Sequence, residues 1–172
     1  MPHNTHVRVR LATADDRLLM ERLWLMFRHD MSEFSAAKPG PDGAFRTDRL
    51  EAAFTDADRV PYLLTADERP VGLAFVRGLG GPVRVLNSFF VVRGARGAGV
   101  GLRAVLDVLA RHPGPWEVAF QDVNAPAVRF WRRVAREVAP DAWTEEHRPV
   151  PGRPELAPDT WIAFHVPAAR RH

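Results

Sequence analysis

Between Leu86 and Ala104 the chain reads LNSFFVVRGARGAGVGLRA, a stretch that very few local structures can accommodate. Phe89-Phe90-Val91-Val92 is an apolar, aromatic and β-branched run that fits a buried strand. Gly94, Gly97, Gly99 and Gly101 follow within a few residues, and a helical spacing of Leu102, Val105, Leu106 and Leu109 begins at once. A strand that breaks into glycines and re-forms as a helix N-terminus makes an anion site. The glycines let successive backbone N–H groups turn inward, and the helix dipole adds partial positive charge where those donors lack partners. Arg96 stands in that loop as a forked donor suited to phosphate. The ligand read from these residues is a pyrophosphate.

Three pyrophosphate loops are open to such a stretch, beside a plain tight turn between strand and helix. A P-loop requires Gly-Lys-Ser/Thr at its end, and here Gly99 is followed by Val100-Gly101. The dinucleotide fingerprint is met loosely by Gly99-x-Gly101-x-x-Ala104, but too little chain follows for a series of βαβ units. Arg96-x-x-Gly99-x-Gly101 after a hydrophobic strand resembles the coenzyme-A loop of the GCN5-related N-acetyltransferases, the GNAT superfamily.

The rest of the chain supplies strands and helices in an order that agrees. Val7–Leu11 alternates as a strand, and Thr13 with Asp16 opens a helix in capping-box fashion that ends near Phe34. A loop over Ala36–Gly43 and a short helix from about Thr47 to Phe54 follow. Pro61–Thr65 and Val71–Val76 read as strands about a turn at Asp67-Glu68-Arg69-Pro70, and Val83–Val92 returns as a third. The helix from Gly101 stops at Pro113-Gly114-Pro115, Trp116–Gln121 is a strand, and Asn124 caps a helix with Pro126 in its first turn. Four prolines between 149 and 158 stiffen a loop, and Thr160–Val166 closes the chain as a strand. The order β-α-α-β-β-β-loop-α-β-α-β-β is that of the GNAT fold, so the resemblance spans residues 6–167. It implies an α/β (α+β) architecture: a mixed, mostly antiparallel sheet of about seven strands, flanked by helices, with one strand pair splayed to hold coenzyme A. A single domain over 6–167 is expected, with flexible ends at 1–5 and 168–172. Asn124, Ala127, Phe130 and Trp131 match the superfamily's Asn-x-x-Ala and aromatic pair, and the whole is similar to a subgroup of bacterial predicted acetyltransferases.

By that resemblance, backbone around Phe90, Val91 and Val92 pairs with the pantetheine arm, as an added strand pairs with a sheet edge. Arg96, Gly97, Ala98, Gly99, Val100 and Gly101 hold the pyrophosphate, and Asn124, Phe130 and Trp131 meet the cofactor from the other side. The implied activity is transfer of an acetyl group from acetyl-CoA to a primary amine, on a small molecule or a peptide. The rival within the same fold is a non-catalytic acyl-CoA-binding module. It stays open because the family's proton-donating tyrosine is replaced by Trp131, whose indole N–H donates a hydrogen bond but is no acid. The strand before the loop also carries no carboxylate at Asn87 or Ser88. The remaining acid and base candidates are Tyr62, the only tyrosine, and Asp122, acting through water. Asp30 and Glu33 stand by the first helix as acceptor-side candidates.

Composition narrows the rest. Without cysteine, disulfides and thiolate chemistry are excluded. The histidines at 3, 6, 29, 112, 147, 165 and 172 form no metal-ligand spacing, so no metal is expected. Lys38 is the sole lysine among 24 basic residues. The arginines are dispersed rather than clustered, which argues against a nucleic-acid surface. No run is long enough to span a bilayer and the N-terminus is not a signal peptide, so a cytoplasmic, membrane-free protein is expected, with a homodimer left open.

Overall fold

The computed structural model describes residues 4–170, and the alternating segments of the sequence pair there into one sheet. Its strands are β1 (Val7–Leu11), β2 (Arg59–Ala66), β3 (Arg69–Arg77), β4 (Arg84–Val91), β5 (Gly114–Phe120), β6 (Thr144–Arg148) and β7 (Asp159–Val166). In space they run β1-β2-β3-β4-β5-β7-β6, and every neighbouring pair is antiparallel except β4 with β5. The helices are α1 (Arg17–Ser35), α2 (Asp48–Thr55), α3 (Val100–Ala110) and α4 (Ala125–Val138). The mixed, mostly antiparallel seven-stranded architecture expected from the sequence is the one observed. Among the described residues no helix is long and apolar enough to cross a membrane.

The centre of the sheet is buried on both faces, and the period of two in β2 and β3 sorts the side chains. Leu63, Leu73, Phe75 and Phe90 point to one face, where Met20, Leu23, Trp24 and Phe27 of α1 and Leu50 of α2 cover them. Leu64, Ala74, Val76 and Leu86 point to the other, beneath Val105, Val108 and Leu109 of α3 and Val134 of α4. Each fully enclosed Leu or Phe contributes about 1.5–3 kcal/mol, so the helices are fixed mainly by what they cover.

Three local features differ from the sequence reading or sharpen it. The turn between β2 and β3 is only Asp67-Glu68, both with positive φ of 48° and 67°, the geometry of a tight hairpin. Arg69 and Pro70, expected in the turn, already belong to β3, and the register slips beside Leu64 and Thr65 opposite Pro70, as suits a residue with no N–H to donate. The penultimate strand, given by the element order but not placed, is Thr144–Arg148. Its sequence TEEHR has no apolar alternation because it is an exposed edge strand. Of the ends expected to be loose, residues 1–3 and 171–172 lie outside the described residues, while the carbonyl of Thr5 accepts a bond from Arg103 Nη1 at 2.7 Å.

The consequence for the site lies in β4. Phe75 pairs with Ser88 and Val76 with Leu86, so Asn87 bulges out of the ladder. Pairing between β4 and β5 covers only Arg84–Trp116, Val85–Glu117 and Leu86–Val118. Beyond Leu86 the two strands part, β4 running on to Val91 and β5 to Phe120. A wedge opens between them at the bulge.

Candidate functional site

The wedge leads into a cleft of about 370 Å³. Its walls are Phe27, Asp30 and Met31 of α1, Phe89–Val91 of β4, Arg96, Gly97 and Gly99 of the loop, Gly101 and Leu102 of α3, and Asn124, Pro126, Ala127, Phe130, Trp131 and Arg133 at and along α4. Of the twelve coenzyme-A positions read from the sequence, Phe90, Val91, Arg96, Gly97, Gly99, Gly101, Asn124, Phe130 and Trp131 are therefore brought together. Val92, Ala98 and Val100 are not in the wall. Val92 borders a neighbouring hollow beside Phe45 and Arg93, and the Val100 side chain is sealed in the core.

The loop's chemistry is in its backbone. Gly97 and Gly99 have φ of 88° and 75°, values that a side chain resists. Gly99 is the cap of α3 and offers no side-chain oxygen to the helix. The first amide of α3 to find a backbone acceptor is Arg103, on Gly99 O at 3.1 Å. The six amides from Gly97 to Leu102 have no acceptor among the described residues. A run of free donors at a helix N-terminus, with Gly97, Gly99, Gly101 and Leu102 lining a cleft, is an anion cradle. Across from it, Asn124 Oδ1 accepts from Ala127 N–H at 3.1 Å, which fixes the first turn of α4 beside the cleft.

Arg96 does less than expected of it. Its Nε donates to Val91 O at 2.8 Å and its Nη2 to Asp30 Oδ2 at 2.9 Å. Arg93 takes the other Asp30 oxygen. Burial alone would raise the Asp30 carboxyl, but the bonds from Arg93 and Arg96 outweigh it and leave Asp30 below the usual carboxylate range. Asp30 therefore joins the loop to α1 and is a poor base. It stands in the last turns of α1, within the helix, as does Glu33, which is exposed and outside the cleft.

The two catalytic candidates are not in the cleft wall either. Tyr62 shares a 2.7 Å bond with His112 Nε2 beyond the C-terminal end of α3, the opposite end from the loop. Burial raises its phenol above the ordinary value. Asp122 accepts from Thr160 Oγ1 and lies 2.8 Å from His147 Nε2, and those bonds lower its carboxyl. It ties the end of β5 to β7 and β6.

Sequence reasoning missed Phe89 and Arg133. Phe89 stacks on Phe130, with centroids 5.6 Å apart and planes 12° apart, and meets Trp131 edge-on at 5.5 Å. The three rings make an apolar wall between β4 and α4. Arg133 reaches the cleft and forms no ion pair among the described residues, whereas its neighbour Arg132 is held by Glu145. The spacing Pro126, Phe130, Arg133 along one face of α4 was the available signal.

The model of the acetyltransferase (GNAT) family matches residues 21–135, more than half of the chain. No curated protein matches the sequence. Among solved structures, an acetyltransferase from Thermus thermophilus superposes with a TM-score of 0.65 at 17% identity, covering 93% of this chain and 97% of its own. The ribosomal-protein-S18-alanine N-acetyltransferase of Escherichia coli gives 0.64 at 10%, covering 97% and 98%. An aminoglycoside acetyltransferase in complex with coenzyme A gives 0.65 at 16%, covering 93% and 95%. At these identities the likeness is one of fold.

Proposed function

Because this chain belongs to the GNAT acetyltransferase family, we propose that it transfers an acetyl group from acetyl-CoA to a primary amine. The observation that carries the reading is the run of six free amides, Gly97 to Leu102, beside the unpaired edge of β4. The residues fit the cofactor: the amides suit a pyrophosphate, and beyond the adjoining residues no protein atom lies within 4 Å of where a Cβ on Gly97 or Gly99 would stand. When bound, acetyl-CoA supplies an activated acetyl carbonyl and a thiol leaving group.

The chain's own part is to hold and to shield. The loop amides take the phosphate charge, and Arg133 adds an exposed cation at the cleft wall. Phe89, Phe130 and Trp131 keep water from one side of the cleft. Trp131 lines the cleft with an indole N–H that makes no hydrogen bond among the described residues, so it can donate to a developing thiolate without protonating it. The proton lost by the attacking amine passes to water, since the cleft's carboxylate is already clasped by two arginines.

Two expected results follow from this arrangement. Arg133→Ala should weaken acetyl-CoA binding about threefold to tenfold, an effect that shrinks with salt because the residue is exposed. Arg132→Ala, which breaks only the Glu145 pair, should leave that affinity alone in the same titration. The rate should rise with pH as the acceptor amine loses its proton and then hold level, without the alkaline fall that an essential protein acid imposes. A bell-shaped profile would show that a side chain supplies the proton.

Thiol release from acetyl-CoA with a mixture of amines tests the reading. The second reading, a non-catalytic acyl-CoA-binding module, is favoured by the ion-paired state of Asp30, the cleft's one carboxylate among the described residues. Acetyl-CoA binding without thiol release under any amine would select it. Displacement by NAD rather than by desulfo-CoA would reject both.

A further inference from the structure

The loop is one of two anion-seeking places beside β4. The second lies on the opposite face of the sheet, under α1 and α2. Arg49 of α2 donates through Nη1 to Asn87 O at 3.2 Å and to Ser88 Oγ at 3.3 Å. These are the first β4 residues past the last β5 pair, so the guanidinium stands at the apex of the wedge. Ser88 is opposite Phe75, on which Trp24 stacks with centroids 5.7 Å apart. Arg28 of α1 lies over that same Trp24 ring and over Phe45, each at 5.9 Å.

Their charges are not balanced. Of the other half-buried arginines, Arg17 pairs with Glu51, Arg59 with Asp56, Arg132 with Glu145 and Arg148 with Glu117, while Arg77 and Arg84 pair with no carboxylate among the described residues. Among the described residues Arg28 and Arg49 have none. Arg28 Nε is enclosed without any partner. Burial, and then the charges of Arg28, Arg59 and Arg77, lower the affinity of Arg49 for its own proton. The local acids are already engaged: Asp48 by Arg46, Asp56 by Arg59, and Asp58 by the amides of Gly78 and Gly80. A half-buried guanidinium pair with no counter-ion is costly, and an external oxyanion removes the cost. Both residues are half-buried rather than sealed in the core.

We propose that the acceptor amine carries an anionic group, a carboxylate or a phosphate-type oxyanion, which docks on Arg49 and Arg28 at the apex of the β4–β5 wedge. The acceptor thus enters from the α1–α2 face, opposite the loop that takes the cofactor's phosphates. The amine half of this statement rests on the acetyl-transfer reading; the anion half does not.

The experiment uses four amines on one short skeleton: β-alanine, 2-aminoethylphosphonate, β-alaninamide and 1,3-diaminopropane, with thiol release as readout. The two acceptors with an anionic group should exceed the amide and the diamine in kcat/KM by at least about tenfold, as a charge-assisted bidentate contact implies. The better of the two identifies carboxylate or phosphate chemistry. Arg49→Gln and Arg28→Gln should each erase most of that advantage through KM, while Arg49→Lys keeps much of it and the Kd of coenzyme A is unchanged. Equal or better turnover of the amide or the diamine would overturn the anion while leaving acetyl transfer intact. If no amine releases thiol, the anion is read without turnover. Inorganic phosphate, added at saturating coenzyme A, should still raise the unfolding midpoint of the wild type and not of Arg49→Gln or Arg28→Gln. Absence of that rise overturns the proposal.

Discussion

Gly99→Val is expected to leave the protein folded and to abolish its binding of acetyl-CoA. Gly99 holds φ 75° and ψ 8° as the cap of α3, a conformation that costs an L-residue about 1–2 kcal/mol and a β-branched one the most. Beyond the two adjoining residues no atom lies within 4 Å of the Cβ such a residue would carry, so the rest of the fold has nothing to clash with. A strain of that size is tolerable against a total stability of roughly 5–15 kcal/mol. The ligand is another matter. The strain is relieved by rotating the peptide planes beside residue 99, which turns the neighbouring amides away from the cleft. Two lost charge-assisted bonds at about 1.5–3 kcal/mol each imply at least a 100-fold weaker complex. Calorimetric titration with acetyl-CoA, alongside thermal unfolding, separates the two effects. A folded Gly99→Val protein with normal affinity would end the anion-cradle reading.

What the sequence disclosed about this site was its backbone, and what it concealed was its side-chain partnerships. Glycines at 94, 97, 99 and 101 after an apolar run constrain the chain locally, and local constraint is legible without a fold. The caps at Thr13 and Asn124 were legible for the same reason, with Thr13 N–H donating to Asp16 Oδ2 at 2.8 Å. The pairing of Arg96 with Asp30 was hidden because the two lie far apart in the chain, and nothing local announces it. Tyr62 was named because it is the only tyrosine, and a residue type carries no address. Its phenol shares a hydrogen bond with His112. Arg49 looked like one arginine among many in a short polar helix. Its place at Asn87 and Ser88 without a carboxylate is a property of neighbours rather than of sequence. The edge strand β6 escaped placement because exposed strands need no apolar alternation.

Gly72→Ala is the companion expectation, and it tests the wall rather than the loop. Gly72 sits in β3 opposite Val91, in the middle of the sheet. A Cβ there would stand 2.0 Å from Phe90 O and 3.1 Å from Phe90 C. The obstacle is backbone, so no rotamer change relieves it, and β4 must move away from β3. Overpacking of that kind costs about 1–3 kcal/mol, and loss of ladder bonds on either side adds to it. The displaced segment is Phe89–Val91, the free edge of the wedge and the seat of the aromatic wall. Gly72→Ala should therefore lower the unfolding midpoint by several degrees, roughly 2–4 °C for each kcal/mol in a chain of this size. Acetyl-CoA affinity should fall in the same protein, because Phe89 can no longer stack on Phe130 while β4 is shifted. Gly81→Ala, where the nearest atom is Gly78 O at 3.8 Å and φ is not positive, controls for the removal of a glycine as such and should leave the midpoint unchanged. If Gly72→Ala melts and binds like the wild type, the β3–β4 register is not the one described, and the cleft built on that register falls with it.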